Sequence, residues 1–376
     1  LRVAQINFPL APSDCTSEQL FERWPSLADI PEAAASAGTR VSVIQAATRE
    51  ERFTRHGVDY YFTDVSGATT AASRADRFVR LLGEIEPDVL HVHGLGFAED
   101  AFAISQRLPQ LPLIFQDHAD RPPRWWWHRP KWRRWYASAS GVVFTAPAQV
   151  QPFTHAGLFG PLTQFFAIPE SSSRFGLGSR ADARAAAGLH GDPCVLWVGH
   201  LAAGKDPLTV LDGVAQATPR LPDLQLWCAF GNAPLLEDVH KRIDHDPRLA
   251  GRVHLMGKVP HAQIESLMQA ADLYVSGSHA ESCGYALLEA LASGVTPVVT
   301  DIPSFRALTG DGRIGHLWPP GDATRLAESL VRAASTPLSP EQVRAHFDAT
   351  LSFAAVGRQW ADAYAQVLDG RLRRVG

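Results

Sequence analysis

Short apolar and β-branched runs alternate with longer helical patterns along almost the whole chain, the sequence form of repeated βαβ units wound around parallel sheets. Strands are predicted near Val3–Ile6, Val41–Ile44, Val89–Val92, Leu113–Phe115 and Val142–Phe144. Helices fit Ser26–Ala37, Ala71–Ile85, Phe97–Leu108, Lys131–Ser138 and Gln149–Ala156. The run Phe165–Pro169 then yields to polar Glu170–Ser171–Ser172–Ser173 and an Ala/Arg-rich stretch, and the rhythm restarts at Val195–Leu196–Trp197–Val198–Gly199. A second series of strands follows at Val195–Val198, Leu224–Ala229, Val253–Leu255, Leu273–Val275 and Pro297–Thr300. The expected fold class is α/β, with two doubly wound, Rossmann-like domains at about 1–167 and 168–350. The 376 residues suit two domains of roughly 150 residues. A final amphipathic segment, about Ser352–Leu372 within a C-terminal piece 351–376, comes too late to add a strand and is expected to pack outside as a helix.

The chain is 45% hydrophobic and 20% charged without a long charge block, which describes sizeable cores rather than disorder. A net charge of -4 provides no global basic field for nucleic acid, so any anion must be met locally. Cys15, Cys194, Cys228 and Cys283 are scattered without CxxC spacing; neither a zinc cluster nor a disulfide framework is expected, and buried thiols in a reducing compartment fit best. LRVAQINFPL lacks the basic and apolar regions of a signal peptide. The longest stretch free of Asp, Glu, Lys and Arg, Trp135–Pro169, carries four prolines and cannot be a spanning helix. A cytoplasmic protein is expected, at most peripheral at the inner face of a membrane.

In open α/β sheets, ligands bind where strands end and helices begin. The most informative such place runs from Ala271 to Val299, reading strand, loop, helix, glycine stop, strand. Gly284 lets a ligand approach the start of a helix, where amide N–H groups favour a phosphate. Glu281 precedes it in the loop, and Glu289 follows eight residues later on the helix. Two carboxylates around one anion site suit hydroxyl groups flanking a phosphate, since a carboxylate accepts two hydrogen bonds from a vicinal diol. A nucleotide sugar has that layout, with diols on either side of a diphosphate.

These residues resemble the retaining glycosyltransferases of the GT-B fold, in particular the group 4 family, through the E-x7-E motif from Glu281–Ser282–Cys283–Gly284 to Leu288–Glu289–Ala290, followed by Ala292–Ser293–Gly294 and Pro297–Val298–Val299. Val198–Gly199–His200–Leu201 with Gly204–Lys205 resembles the family segment that holds the donor diphosphate. Gly257–Lys258–Val259 resembles the turn that reads the base, and Gly315 to Asp322 a further loop. In the first half, Asp88–Gly94, with His93, and Phe115–Gln116–Asp117–His118 match strand ends facing the cleft. The resemblance implies GT-B architecture, with residues 1–167 binding the acceptor, 168–350 binding the nucleotide sugar, and 351–376 crossing back to the first domain. It implies that His118, Glu281 and Lys205 are catalytic. Glu289 would take the ribose, and His200, Ser282, Cys283, Gly284, Gly199, Lys258, Leu288 and His93 would complete substrate binding. The reaction implied is transfer of a hexosyl group to a glycan, lipid-linked or small-molecule hydroxyl with retention, by front-face displacement. No metal and no cofactor beyond the donor, a UDP or GDP sugar, is implied.

The sequence departs from the family in three places. His200 stands where an Arg is usual and cannot grip a diphosphate bidentately. Cys283 replaces an aromatic residue, and the segment Phe8–Asp14 lacks the usual Gly-Gly loop. A catalytically weak donor-binding partner, and a nucleotide-sugar epimerase or hydrolase, are the alternative readings. His91 reads as a packed core histidine and Cys283 as a space-filler. The segment Arg121–Tyr136 is dense in both Trp and Arg/Lys, which suits a membrane interface, an anionic lipid carrier or a sugar polymer, or equally a core of tryptophans beneath solvated arginines.

Overall fold

A computed structural model describes residues 1–375, with side chains to Gly370; the end of the predicted C-terminal piece, Gly376, lies outside the described residues. The chain divides into two compact units, Leu1–Ser171 together with the chain from Phe353 onward, and Ser172–Ser352. Each is built on a mostly parallel sheet covered on both faces.

In the first unit the strands are β1 (Arg2–Asn7), β2 (Arg40–Ala47), β3 (Glu51–Arg55), β4 (Val58–Asp64), β5 (Val89–His93), β6 (Leu113–Gln116), β7 (Ala139–Phe144) and β8 (Gln164–Ala167), in the order β3-β4-β2-β1-β5-β6-β7-β8. Period-two alternation sends Ala4 and Ile6 of β1 into one apolar cluster and Val3 into the other, so both faces are core. The helix from Phe353 packs on the helix Ser26–Ser36 and buries Trp360 and Tyr364 completely.

Five strands were expected here and eight are present. The hairpin β3–β4 carries its turn at His56–Gly57, both with positive φ, a two-residue connection suited to twisted strands that is usually written Asn-Gly. Its charged edge strand, ERFTR, alternates in burial instead of forming an apolar run, and so reads poorly as a strand. The expected helix Gln149–Ala156 is a 3-10 turn, Pro147–Val150, followed by the helix Gln151–His155; Pro152 has no amide hydrogen to continue the earlier turn.

The second unit contains β9 (Cys194–Gly199), β10 (Gln225–Phe230), β11 (Val253–Gly257), β12 (Leu273–Ser276), β13 (Thr296–Thr300) and the unpredicted three-residue β14 (His316–Trp318), ordered β11-β10-β9-β12-β13-β14. Along β9, Cys194 and Leu196 face one core, Val195 and Trp197 the other. Both units are therefore doubly wound. The strand order reverses between β1 and β5 in the first and between β9 and β12 in the second, and the carboxyl ends beside those points are where such sheets bind ligands.

Candidate active site

At the reversal in the second unit, the loops that leave β9 and β12 are fastened together. Gly277 permits the approach: a Cβ there would lie 3.0 Å from the Asp206 carbonyl oxygen and 3.1 Å from that of Lys205. The His279 amide donates to the Gly204 carbonyl at 3.0 Å, and its Nε2 lies 2.9 Å from an Asp206 carboxylate oxygen. Asp206 also accepts from the Thr209 amide, capping the helix Pro207–Ala217. This clasp brings Lys205 Nζ onto Glu281 Oε1, which also accepts from Ser278 Oγ at 2.6 Å. The pair is partly open to solvent, Lys205 at 29% and Glu281 at 18% side-chain exposure, so an entering anion can compete for the ammonium.

Gly284 begins the helix Tyr285–Ala292 with φ +90°, and a Cβ there would fall 2.6 Å from Phe305 Cε1. Phe305 is itself buried, so neither backbone nor ring can yield cheaply. Gly284→Ala is expected to cost about 1–3 kcal/mol of stability, measured by urea unfolding of the whole chain.

The other sequence-predicted residues of this unit fall into different environments. Glu289 is largely buried and lies 2.6 Å from His261 Nε2; burial raises its carboxyl above the ordinary value, and His261 only partly opposes this. Lys258 is exposed in the turn after β11. His200 is exposed, and its Nδ1 accepts from the Asn232 amide at 3.2 Å. Gly199 and Ser282 are partly exposed at the ends of β9 and of the β12 loop. Cys283 and Leu288 are fully buried in the core, and the Leu288 amide donates to the Gly284 carbonyl. Both side chains contribute packing to that core.

The first unit gathers a second cluster at the ends of β1, β5 and β6. A cavity of about 290 Å³ is lined by Asn7, Pro9, Trp24, Gln45, His93, Phe97, His118 and Asp120, among others. His118 Nδ1 lies 2.6 Å from Glu170 Oε1, and its Nε2 lies 3.1 Å from His93 Nδ1. His93 Nε2 in turn meets Gln5 Oε1 at 3.0 Å. The Gln5 amide nitrogen donates to Tyr364 Oη at 3.1 Å, and the tyrosine hydroxyl lies 2.8 Å from His91 Nδ1. The directions follow from the chemistry. Gln5 Oε1 can only accept, so His93 donates from Nε2 and accepts at Nδ1, and His118 donates from both nitrogens, to His93 and to Glu170. His118 is thus held as an imidazolium.

The electrostatics agree with that assignment. Burial opposes charge on His118, but the Glu170 hydrogen bond and carboxylate, with Asp120 and Asp117, outweigh it and raise the ring above the ordinary histidine value. His93 is pushed well below that value by burial and by its two histidine neighbours, and His91 to about 3 by burial and then by His118. Asp117 is pushed up to about 6 by burial, Asp120 and Glu170. His91, fully buried and stacked on Trp360 at 4.3 Å, belongs to the core as the alternation of β5 predicts.

Several participants carry no readable signal in the sequence. Glu170 sits in what reads as a polar linker, yet one of its oxygens holds His118, and the other, Oε2, is buried with no hydrogen-bond partner among the described residues. Asp120 accepts from the amides of Leu95 and Gly96, tying the β5 loop to the β6 loop. His279, Asp206 and His261 were equally unmarked, because each acts across a gap of sequence that only the tertiary fold closes, whereas Ser278 acts locally, three residues before Glu281.

Residues 179–347 match the family model described as Glycosyl transferases group 1. A phosphatidyl-myo-inositol mannosyltransferase of Mycobacterium tuberculosis is 29% identical over 177 residues, 46% of this chain and 45% of that protein. The chain thus spans about half the length of that curated relative. GDP-mannose:cellobiosyl-diphosphopolyprenol alpha-mannosyltransferase of Xanthomonas campestris is 26% identical over 304 residues, 77% of this chain and 75% of that one. Among solved structures, Anabaena HepE in complex with UDP and glucose superimposes with a TM-score of 0.61 at 18% identity, covering 100% of this chain and 98% of its own. The fold is GT-B, and the stretch that matches the Glycosyl transferases group 1 model lies in the second unit.

Proposed function

We propose that this protein is a retaining glycosyltransferase that moves a sugar from a nucleotide-diphosphate sugar to the hydroxyl of a glycan, lipid-linked or small-molecule acceptor. The observation that carries the reading is the Lys205–Glu281 pair, clasped between the β9 and β12 loops beside the start of the helix Tyr285–Ala292. The donor diphosphate draws Lys205 toward itself and meets the first amides of that helix. Glu281 and the backbone at Ser282–Gly284 take the sugar hydroxyls, and Glu289 takes the ribose diol. His118, charged and fixed by Glu170 and His93, orients the acceptor or the donor sugar. The acceptor oxygen forms a bond to the anomeric carbon on the face from which the diphosphate departs, and the leaving phosphate accepts the acceptor's proton. No metal ion takes part.

The names of the mannosyltransferase relatives and the UDP and glucose of HepE support a nucleotide-sugar donor, with UDP or GDP as the base-bearing part. A second reading, a donor-binding partner with little turnover, is favoured by His200, which stands where the family resemblance asks for an Arg, lacks its bidentate fork, and has its Nδ1 taken by the Asn232 amide.

A melting-temperature panel of UDP, GDP, ADP, dTDP and their common sugars, with and without magnesium, tests the proposal. One nucleotide is expected to raise the melting temperature by several degrees at saturating concentration, equally with and without the metal, because a ligand of the native state alone stabilises it. No shift with any of them overturns the donor site. A shift without transfer to any acceptor supports the second reading.

A further inference from the structure

We infer that the first unit carries a docking surface for an anionic lipid bilayer, built by residues 121–136 and independent of the transfer reaction. From Arg121 to Pro169 the chain has no Asp or Glu, although the whole protein is net -4. Six cations, Arg121, Arg124, Arg129, Lys131, Arg133 and Arg134, fall in the first fourteen residues of that stretch. Among the described residues of this unit, ion-paired arginines include Arg2, Arg49, Arg52, Arg55, Arg74 and Arg107, all outside this segment, whereas Arg121, Arg124, Lys131, Arg133 and Arg134 are exposed. A field of one sign is therefore left facing solvent, and its complement is an anionic surface.

The aromatic residues divide between two roles. Trp132 and Trp135 pack against the core, so part of the segment does serve as core filling. Trp125, Trp126 and Trp127 do not: they are 48%, 70% and 53% exposed. The rings of Trp125 and Trp127 stack at 4.8 Å, Trp126 meets Trp127 edge-on at 5.9 Å, and the Arg124 guanidinium lies 5.1 Å over Trp125. Three adjacent exposed indoles in contact with one another are costly in water. An indole cluster rimmed by arginines matches the headgroup layer, where the rings enter the acyl boundary and the cations meet lipid phosphates. The short helix Arg129–Tyr136 continues the same chemistry, with Lys131 4.4 Å over the ring of Trp135. Among the described residues no helix is long and apolar enough to cross a membrane, so contact through this surface is interfacial.

Co-sedimentation of the full chain with sucrose-loaded vesicles tests this. Binding to phosphatidylglycerol/phosphatidylcholine vesicles is expected to exceed binding to phosphatidylcholine alone by about tenfold or more. It is expected to weaken by about tenfold between ~0.1 and ~1 M salt, over which the screening length shrinks to a few ångströms. Trp125→Ser/Trp126→Ser/Trp127→Ser and, separately, Arg121→Gln/Arg124→Gln/Lys131→Gln are each expected to lose at least tenfold in binding while melting as the parent does, because the altered side chains are exposed. Equal binding to neutral and anionic vesicles, no binding to either, or unchanged binding by both variants overturns the inference. Retention on an immobilised acidic polysaccharide without vesicle binding overturns it in favour of a glycan surface.

Discussion

Replacing Lys205 by alanine is expected to reduce turnover by about a hundredfold to a thousandfold, equivalent to ~3–4 kcal/mol of transition-state stabilisation, while changing the melting temperature little. Both parts of that result matter. Lys205 and Glu281 are partly exposed and meet across two loops, and an ion pair in such a setting is worth only about 0–1 kcal/mol to the fold. Were the pair merely structural, turnover would survive in proportion. In the proposed reaction Lys205 instead neutralises charge that grows on the departing diphosphate, so its effect is concentrated in the transition state. Glu281→Ala is expected to be similarly inactive, with Lys205 left free to hold the diphosphate, so that affinity for the nucleoside diphosphate itself is kept or raised. Steady-state kinetics alongside calorimetry of nucleotide binding checks both variants. Near-normal rates in either remove this pair from the site.

Glu170→Gln is expected to lower turnover at neutral pH by on the order of tenfold or more, and to move the alkaline limb of the rate profile to lower pH. Glutamine keeps an oxygen to accept from His118 Nδ1 but removes the charge that, with its hydrogen bond, offsets burial. Burial then prevails and His118 loses its proton earlier. The imidazole proton resonance of His118 reports that titration directly, and an unchanged midpoint would refute the role given to Glu170. Stability follows with a definite sign. His118 binds its proton more tightly folded than unfolded, so the pair's contribution is complete below about pH 6.5 and is lost as pH rises through the raised value. His91 and His93 act oppositely. Both stay neutral in the fold while the unfolded chain takes up protons below about pH 6.5, so acidification destabilises the first unit through them.

The two clusters were legible to different degrees. Glu281, Gly284 and Glu289 lie within nine residues, in one strand–loop–helix step whose periodicity and glycine are visible locally, and Lys205 occupies the equivalent step after β9. Their partners were not visible. His279 and Asp206 are 73 positions apart, as are residues of no common motif, and His118 and Glu170 are 52 apart. Glu170 in particular stands in a Ser-rich stretch whose composition reads as a linker, and nothing in that composition records that its carboxylate is folded back against β6. His200 was visible as the residue in place of the usual Arg, but its contact with the Asn232 amide, 32 positions away, was not.

The amino-acid sequence by itself determined the α/β class, the two sheets and the loops on which chemistry would sit, because strand and helix periods and glycine stops are short-range properties written within ten residues of each other. Only the tertiary structure decided which charges face which. A proton's affinity for His118 depends on Glu170, Asp120, Asp117 and burial together, and these meet only because parallel strands set the ends of distant segments side by side. The same distinction governs Arg121–Tyr136: its composition allowed either a core or a surface, and packing sent Trp132 and Trp135 inward while leaving Trp125, Trp126 and Trp127 in solvent.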